Sequence, residues 1–252
     1  MRKSGFTLVE MLVAITIAIL LASLFFVVGR NAYAASSLAV SANNIRQLAA
    51  GGMAYLADNN YNFWPFLEKK PEGDLWWFGL EPKSALGRPE GSRKIDMAAG
   101  PLGTYIPRGF APDPSLRLSG TAFKPKFEFG YIGCAYNVHL AGERSDGRAV
   151  WVTTPKSPRP KRFWELQKPE STVMFATSAQ VYPFSKKPVI EEFYGIDKDE
   201  VTVHGRHGGK AMVAYASGNA GFLPLDKSTI NRNAPGANIG RFAPRGSTLY
   251  LK

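Results

Sequence analysis

The sequence predicts an α+β chain in which one long N-terminal helix packs on a small antiparallel β-sheet with long loops. Three observations carry that expectation. An apolar run from Phe6 to Val28 continues with helical spacing and meets no Pro before Pro65. Residues 63 to 125 are rich in Pro, Gly and aromatic side chains and show little sustained period. Short strand-like runs then recur from Lys126 onward. With 252 residues, 45% of them apolar and 20% charged, the chain has room for an anchor and one domain with its own core, and its composition excludes disorder throughout.

The first element explains itself by length. Between Phe6 and Val28 the one charged residue is Glu10, and a helix of that run, rising ~1.5 Å per residue, reaches ~34 Å, enough to cross a bilayer core. Arg2 and Lys3 precede the run and Arg30 is the next charge after it, which favours a cytoplasmic N-terminus with the rest outside the inner leaflet. The run is too long for a conventional secretory signal. Its small residue, Gly5, lies before the helix, so a cut there removes the basic leader and keeps the rod. An ionised carboxylate in lipid is costly and usually has a partner, yet no basic side chain lies near Glu10 in this helix. A cut after Gly5 creates an amine on Phe6 that can meet the Glu10 of a neighbouring copy shifted lengthwise. An uncleaved anchor with Glu10 near the headgroups is the alternative.

The stretch Gly5-Phe6-Thr7-Leu8-Val9-Glu10 resembles the processing and methylation signature of type IV pilins and type II secretion pseudopilins. The resemblance implies cleavage after Gly5, N-methylation of the Phe6 amine, and docking into a filament guided by Glu10. It also implies the partners: other pilin-like subunits, a prepilin peptidase that is also the N-methyltransferase, and inner-membrane secretion or pilus assembly machinery. The fold it implies is pilin-like, single-pass in a bacterial inner membrane, with the globular part periplasmic. On that reading residues 1–5 are a leader, 6–28 a transmembrane and filament-core helix, and 29–62 its amphipathic continuation. Residues 63–252 form the globular domain, divided into loop-rich 63–125, sheet 126–225 and basic tail 226–252.

The second half of the helix is read from Leu38, Ile45, Leu48, Gly52, Tyr55, Leu56 and Asn59, whose spacings near three, four and seven place one apolar stripe on the domain and carry the helix to about residue 60. Gly29, Gly51 and Gly52 are its weak points, either hinges or sites of close packing. Major pilins often carry a bending Pro in the apolar half. This chain has none, which favours a pseudopilin or minor subunit.

In the sheet region Phe127, Phe129 and Tyr131 alternate with Glu128, Gly130 and Ile132, as a strand would. Thr172–Thr177 (TVMFAT) and Lys210–Ala216 (KAMVAYA) are apolar runs without alternation, as expected of strands covered on both faces. Ser217-Gly218-Asn219 then turns into Gly221-Phe222-Leu223, a hairpin. A second, looser resemblance runs through these elements. Many pilin-like proteins have a segment like residues 43–65 and end in a strand pair marked by His, nine residues, then Asp-Gly. Here His207 leads to Ser217-Gly218, and the strand TVMFATSA has Thr177 or Ser178 where relatives often have Asp.

Other chemistry is weaker. His204 and His207 form an H-x-x-H, and His139 follows Cys134 by five residues, but Gly205, Gly208 and Gly209 make the former a turn, and neither a metal nor a cofactor is expected. No nucleophile elbow or paired-carboxylate motif is present, so the chain is read as non-enzymatic. Cys134 is the single cysteine and reads as a buried thiol. Most of the tryptophans read as core. Lys156, Arg159, Lys161, Arg162 and Lys168 surround Phe163 and Trp164. That mix reads as a solvated loop. The alternative is a membrane-anchored minor pilin that binds DNA or a glycan through residues 155–168, with Lys156, Arg159, Lys161, Arg162 and Trp164 as candidate polyanion contacts. The net charge of +11 is spread along the chain, except that Lys227, Arg232, Arg241, Arg245 and Lys252 follow Asp226 with no further acid. Gly, Pro, Asn and Ser make that end an extended tail or a covering loop.

Overall fold

The computed structural model describes residues 7–107, 109, 112–113, 115–116, 122–128, 132–182, 184–185 and 187–252, with the backbone alone at 27, 30 and 31. Gly5 and Phe6 therefore lie outside the described residues, as do Phe129, Gly130 and Tyr131. The chain divides into two compact units, residues 1–39 and 40–252.

Helix α1, Leu8–Asp58, has 51 residues and is the single α-helix among the described residues. In the first unit its apolar side chains stand exposed from Leu8 to Phe26 and at Val28. Within the second unit the stripe read from sequence is the one that packs: Ile45, Leu48 and Leu56 are fully buried and Ala49 nearly so. Gly51 and Gly52 are sites of close packing rather than hinges. A Cβ on Gly52 would lie 3.1 Å from Met174 Cε and 3.2 Å from Trp64, and one on Gly51 would lie 2.6 Å from Ile106 Cγ1. Gly29 has nothing within 4 Å of such a Cβ.

The strands follow as β1 (Leu67–Lys70), β2 (Gly73–Trp76), β3 (Gly79–Pro82), β4 (Ala122–Lys124), β5 (Cys134–Asn137), β6 (Val173–Thr177) and β7 (Gln180–Val181). They continue with β8 (Val189–Glu191), β9 (Gly195–Ile196), β10 (Val203–His204), β11 (Lys210–Tyr215), β12 (Ala220–Pro224) and β13 (Ile239–Gly240). The main sheet has the order β12-β11-β6-β5-β9, antiparallel except for the β5–β9 edge. Smaller sheets are the β1-β2-β3 meander, β4-β8-β7 and β10-β13. The arrangement is α+β and pilin-like.

The expected TVMFAT and KAMVAYA strands are β6 and β11, and the expected hairpin is β11–β12. Both faces of β6 are covered, but the lack of alternation has a second cause. The register against β11 shifts between Ala214 and Tyr215, so Val173 faces Tyr215 and Phe175 faces Ala214 with Met174 extra. Val173 and Ala176 join the cluster with Val213, Leu223 and Leu251. Met174 meets the Gly52 position, and Phe175 packs 6.0 Å from Trp64 and 5.4 Å from Trp77.

Two expectations need correction. The strand expected from Lys126 is absent among the described residues of that stretch, and the sheet strand begins at Cys134. The reason is a buried carboxylate: Glu192 accepts from the backbone N–H of Lys126 and of Ile132, each at 3.1 Å, using donors that a ladder would use. Phe127 instead bridges Arg93, whose guanidinium lies 5.0 Å over its ring. The second correction is that paired strands begin at Leu67, well before residue 126. Strands of four residues joined by the two-residue turns Pro71-Glu72 and Trp77-Phe78 are too short to show a period.

The C-terminal stretch is a covering loop and no free tail. Ile239, Phe242 and Leu251 are buried, β13 pairs with β10, and buried Asn137 Nδ2 donates to the carbonyls of Val173 (2.8 Å) and Leu251 (3.0 Å).

Candidate functional site

The N-terminal end of α1 is built from two residues. Thr7 is the N-cap and Glu10 the third helical position. The Glu10 backbone N–H donates to Thr7 Oγ1 at 3.2 Å, while the Thr7 backbone N–H (2.8 Å) and Oγ1 (2.9 Å) donate to Glu10 Oε2. This is a capping box, reciprocal satisfaction of donors that a helix start leaves open. From sequence, only a basic side chain is sought near Glu10 in its own helix, and this local pairing is not foreseen. The partner of Glu10 is a hydroxyl and an amide, not a cation. The signal T-x-x-E was present in the sequence. Glu10 remains exposed, on a stretch Leu8–Phe26 that is long and apolar enough to cross a membrane and is 0% buried.

The basic-aromatic segment is brought together at the end of α1. Phe163–Glu165 forms a short 3-10 turn, and the Phe163 N–H donates to the Tyr61 carbonyl while the Phe63 N–H donates to that of Lys161. Trp164 is exposed, 6.3 Å from the Tyr61 ring, and the Arg162 guanidinium lies 5.5 Å over it. Most of the candidate cations are already occupied. Arg159 bonds Glu165, holding that carboxyl down at about 2, and Lys161 pairs with Glu143 at 3.2 Å. Arg162 also donates to Asn62 Oδ1 at 3.3 Å, while Lys156 stands exposed. Trp64 and Trp77 are core, Trp76 and Trp151 are half-buried.

The histidines do not converge with Cys134. Cys134 begins β5 and His139 lies beyond its far end; burial pushes the thiol up to about 12. His204 is fully buried in β10, and burial, with Arg206 and His207 beside it, drives its pKa well down. His207 sits in a turn with Gly208 and Gly209 at positive φ. Among the described residues no group of three or more His, Cys, Asp or Glu is placed to hold a metal. Where an Asp was looked for, hydroxyls bridge elements. Thr177 Oγ1 donates to the His204 carbonyl at 2.9 Å and accepts from Met212 N at 3.1 Å, and Ser178 Oγ donates to the Phe193 carbonyl at 2.5 Å.

A buried ionic cluster was not foreseen. Asp113, fully buried, accepts from Ser41 Oγ of α1 at 2.5 Å, from Ser115 and from Arg206 Nη1 at 3.0 Å. Arg206 also donates to the carbonyls of Gly133 (2.6 Å) and Ser178 (2.8 Å). Burial alone would raise the Asp113 carboxyl; Arg206 and the two hydroxyls reverse that and hold it below its ordinary value.

An exposed apolar N-terminal helix opening on a Thr7–Glu10 box, in a chain whose later residues form an α+β domain, is the arrangement a pilin-like protein has. A family model described as "Prokaryotic N-terminal methylation motif" matches residues 1–26, which together with the apolar helix supports a type IV pilin-like protein. That motif implies processing by a prepilin peptidase and assembly with other pilin subunits. No curated protein matches the chain, and no solved structure does.

Proposed function

We propose that this chain is a non-enzymatic pilin-type subunit of a type II secretion or type IV pilus filament, cut after Gly5, N-methylated on Phe6 and held in the filament by a Glu10 pair with the Phe6 amine of a neighbouring copy. The observation that carries the reading is the methylation-motif match over residues 1–26 on a helix whose apolar surface is left uncovered by its own chain. An all-round apolar helix needs lipid or sister helices to cover it. Glu10 supports the pairing because its carboxylate sits at the first turn, next in space to Thr7 and four residues along from the new terminus. The soluble part decorates the filament from the periplasmic side.

Intact-mass measurement on protein extracted from its native host tests the processing. Loss of residues 1 to 5 with one added methyl is expected; an unmodified Met1 start overturns it. Glu10→Ala should still insert in the membrane and fail to enter filaments. Normal filament yield from that variant removes the pairing.

A further inference from the structure

A cleft of about 610 Å³ lies between the turn at residues 143–149 and the turn at 154–157. Its volume is in the ~300–1,000 Å³ range of sites that hold drug-sized ligands. Arg144 and Arg148 line one wall and Lys156 the other, and no carboxylate lines it. The floor is Val150, Trp151 and Val152. Both walls are internally fixed. The Arg144 N–H donates to the Arg148 carbonyl at 2.8 Å, and on the opposite wall the Ser157 N–H donates to the Thr154 carbonyl at 2.9 Å. Trp151 is held by edge contacts to Phe66 (5.0 Å) and Phe193 (5.9 Å), so the indole is positioned before any ligand arrives.

We propose that this cleft binds a short acidic oligosaccharide, with sugar carboxylates on the Arg144 and Arg148 forks and Lys156, and a sugar C–H face on the Trp151 floor. Guanidinium forks match a planar carboxylate. Asp146 takes Arg148 Nη2 at 2.6 Å and Nε at 2.8 Å and lies 4.0 Å from Arg144 Nε, but all three side chains are exposed, and such surface pairs are weak and yield to a better-placed anion. Hydroxyls of Ser157 and Thr154 at the rim suit a polyhydroxylated ligand. Two observations set other anions behind. A nucleic-acid strand needs a cationic track that continues past the cleft, whereas Lys161, further along the chain, is held by Glu143 with both side chains largely buried. A peptide adding as a strand needs unused backbone groups, whereas the Val150 and Thr153 N–H groups already donate to the Gly142 and Leu67 carbonyls. The site is independent of filament assembly and goes beyond that reading.

The test is calorimetric titration of the full-length protein in detergent with trigalacturonate, with maltotriose as the neutral counterpart and a trinucleotide and triglutamate as other anions. Saturable trigalacturonate binding is expected, weakened at least about tenfold in the Arg144→Gln/Arg148→Gln variant, weakened less in Lys156→Gln and unchanged in Lys210→Gln. Both arginines are exposed, and an unchanged melting temperature checks that the double variant is folded. No binding of trigalacturonate, equal binding of maltotriose, tighter binding of the trinucleotide or triglutamate, or wild-type affinity in the folded double variant each overturns the proposal.

Discussion

Leu8–Phe26 and Val40–Asp58 are stretches of one helix with opposite fates. In the first, Leu12, Val13, Ile15 and Leu21 point to different sides and all are exposed. In the second, Ile45, Leu48 and Leu56 are fully buried while Asn43, Arg46 and Ala57 on the other side are exposed. Their carboxyl chemistry differs in the same way. Glu10 is exposed and bonded only locally to Thr7, whereas Asp113, which Ser41 of the second stretch contacts, is sealed among Ser115 and Arg206. The lesson is that the second stretch is satisfied by its own chain and the first is left for lipid or other copies.

The sharpest way to break this contrast is Arg206→Ala, which strands the Asp113 charge in the interior. It should cost about 3–5 kcal/mol, read by urea unfolding of the detergent-solubilised protein with the buried Trp64 and Trp77 as probes, while Glu10→Ala leaves that transition in place. An equal loss in both variants would show that the two carboxyls are not separate.

Next in size is a pH effect centred on Glu192. Burial pushes its carboxyl up to about 7, against the Lys126 and Ile132 amides, the Tyr194 hydroxyl and the Lys126 charge. Because the folded value lies above the unfolded one near 4.5, the protonated form is the one folding favours. Its contribution is complete below about pH 4.5 and is lost as pH rises to about 7, a change of up to ~3 kcal/mol. His139, His204 and His207, whose pKa values burial lowers, act in the opposite direction as pH rises toward 6.5. The stability difference between wild type and Glu192→Gln isolates the carboxyl and should fall across that window. A flat difference would remove the assignment.

Gly195→Ala should cost about 1–3 kcal/mol by overpacking, since a Cβ there would lie 2.4 Å from Trp151 Cζ3, inside a ring with no freedom to bend. The same unfolding experiment reads it, and wild-type stability would show that the indole can move. Smallest is Thr7→Val, which removes the capping hydroxyl and should cost about 1 kcal/mol at the helix start. Amide exchange in the first turn should quicken, Thr7→Ser should restore it, and the head should not respond.

Sequence reasoning found the anchor, the packing stripe, β6, β11 and the β11–β12 hairpin because each is written in local period or turn chemistry. It sought a cation for Glu10 and so passed over the T-x-x-E pattern three residues upstream. It placed a strand at Phe127 because alternation alone does not reveal that Glu192, distant in sequence, takes the Lys126 and Ile132 amides. It read the basic residues near Trp164 as a solvated loop, with a polyanion contact as the alternative, and could not show that Arg159 is tied to Glu165 and Lys161 to Glu143. The Asp113–Arg206 pair joins residues 93 apart and left no local trace.

By itself, then, the sequence determined the apolar rod, its processing motif and three strands of the main sheet, β6, β11 and β12, since period, length and short-range spacing are properties of neighbouring residues. Tertiary structure alone decided which charges are spent internally, how the extra residue Met174 meets the helix at Gly52, and where a cation-lined cleft remains. Those outcomes depend on which distant groups are brought within hydrogen-bonding reach, and burial makes each such meeting either necessary or costly.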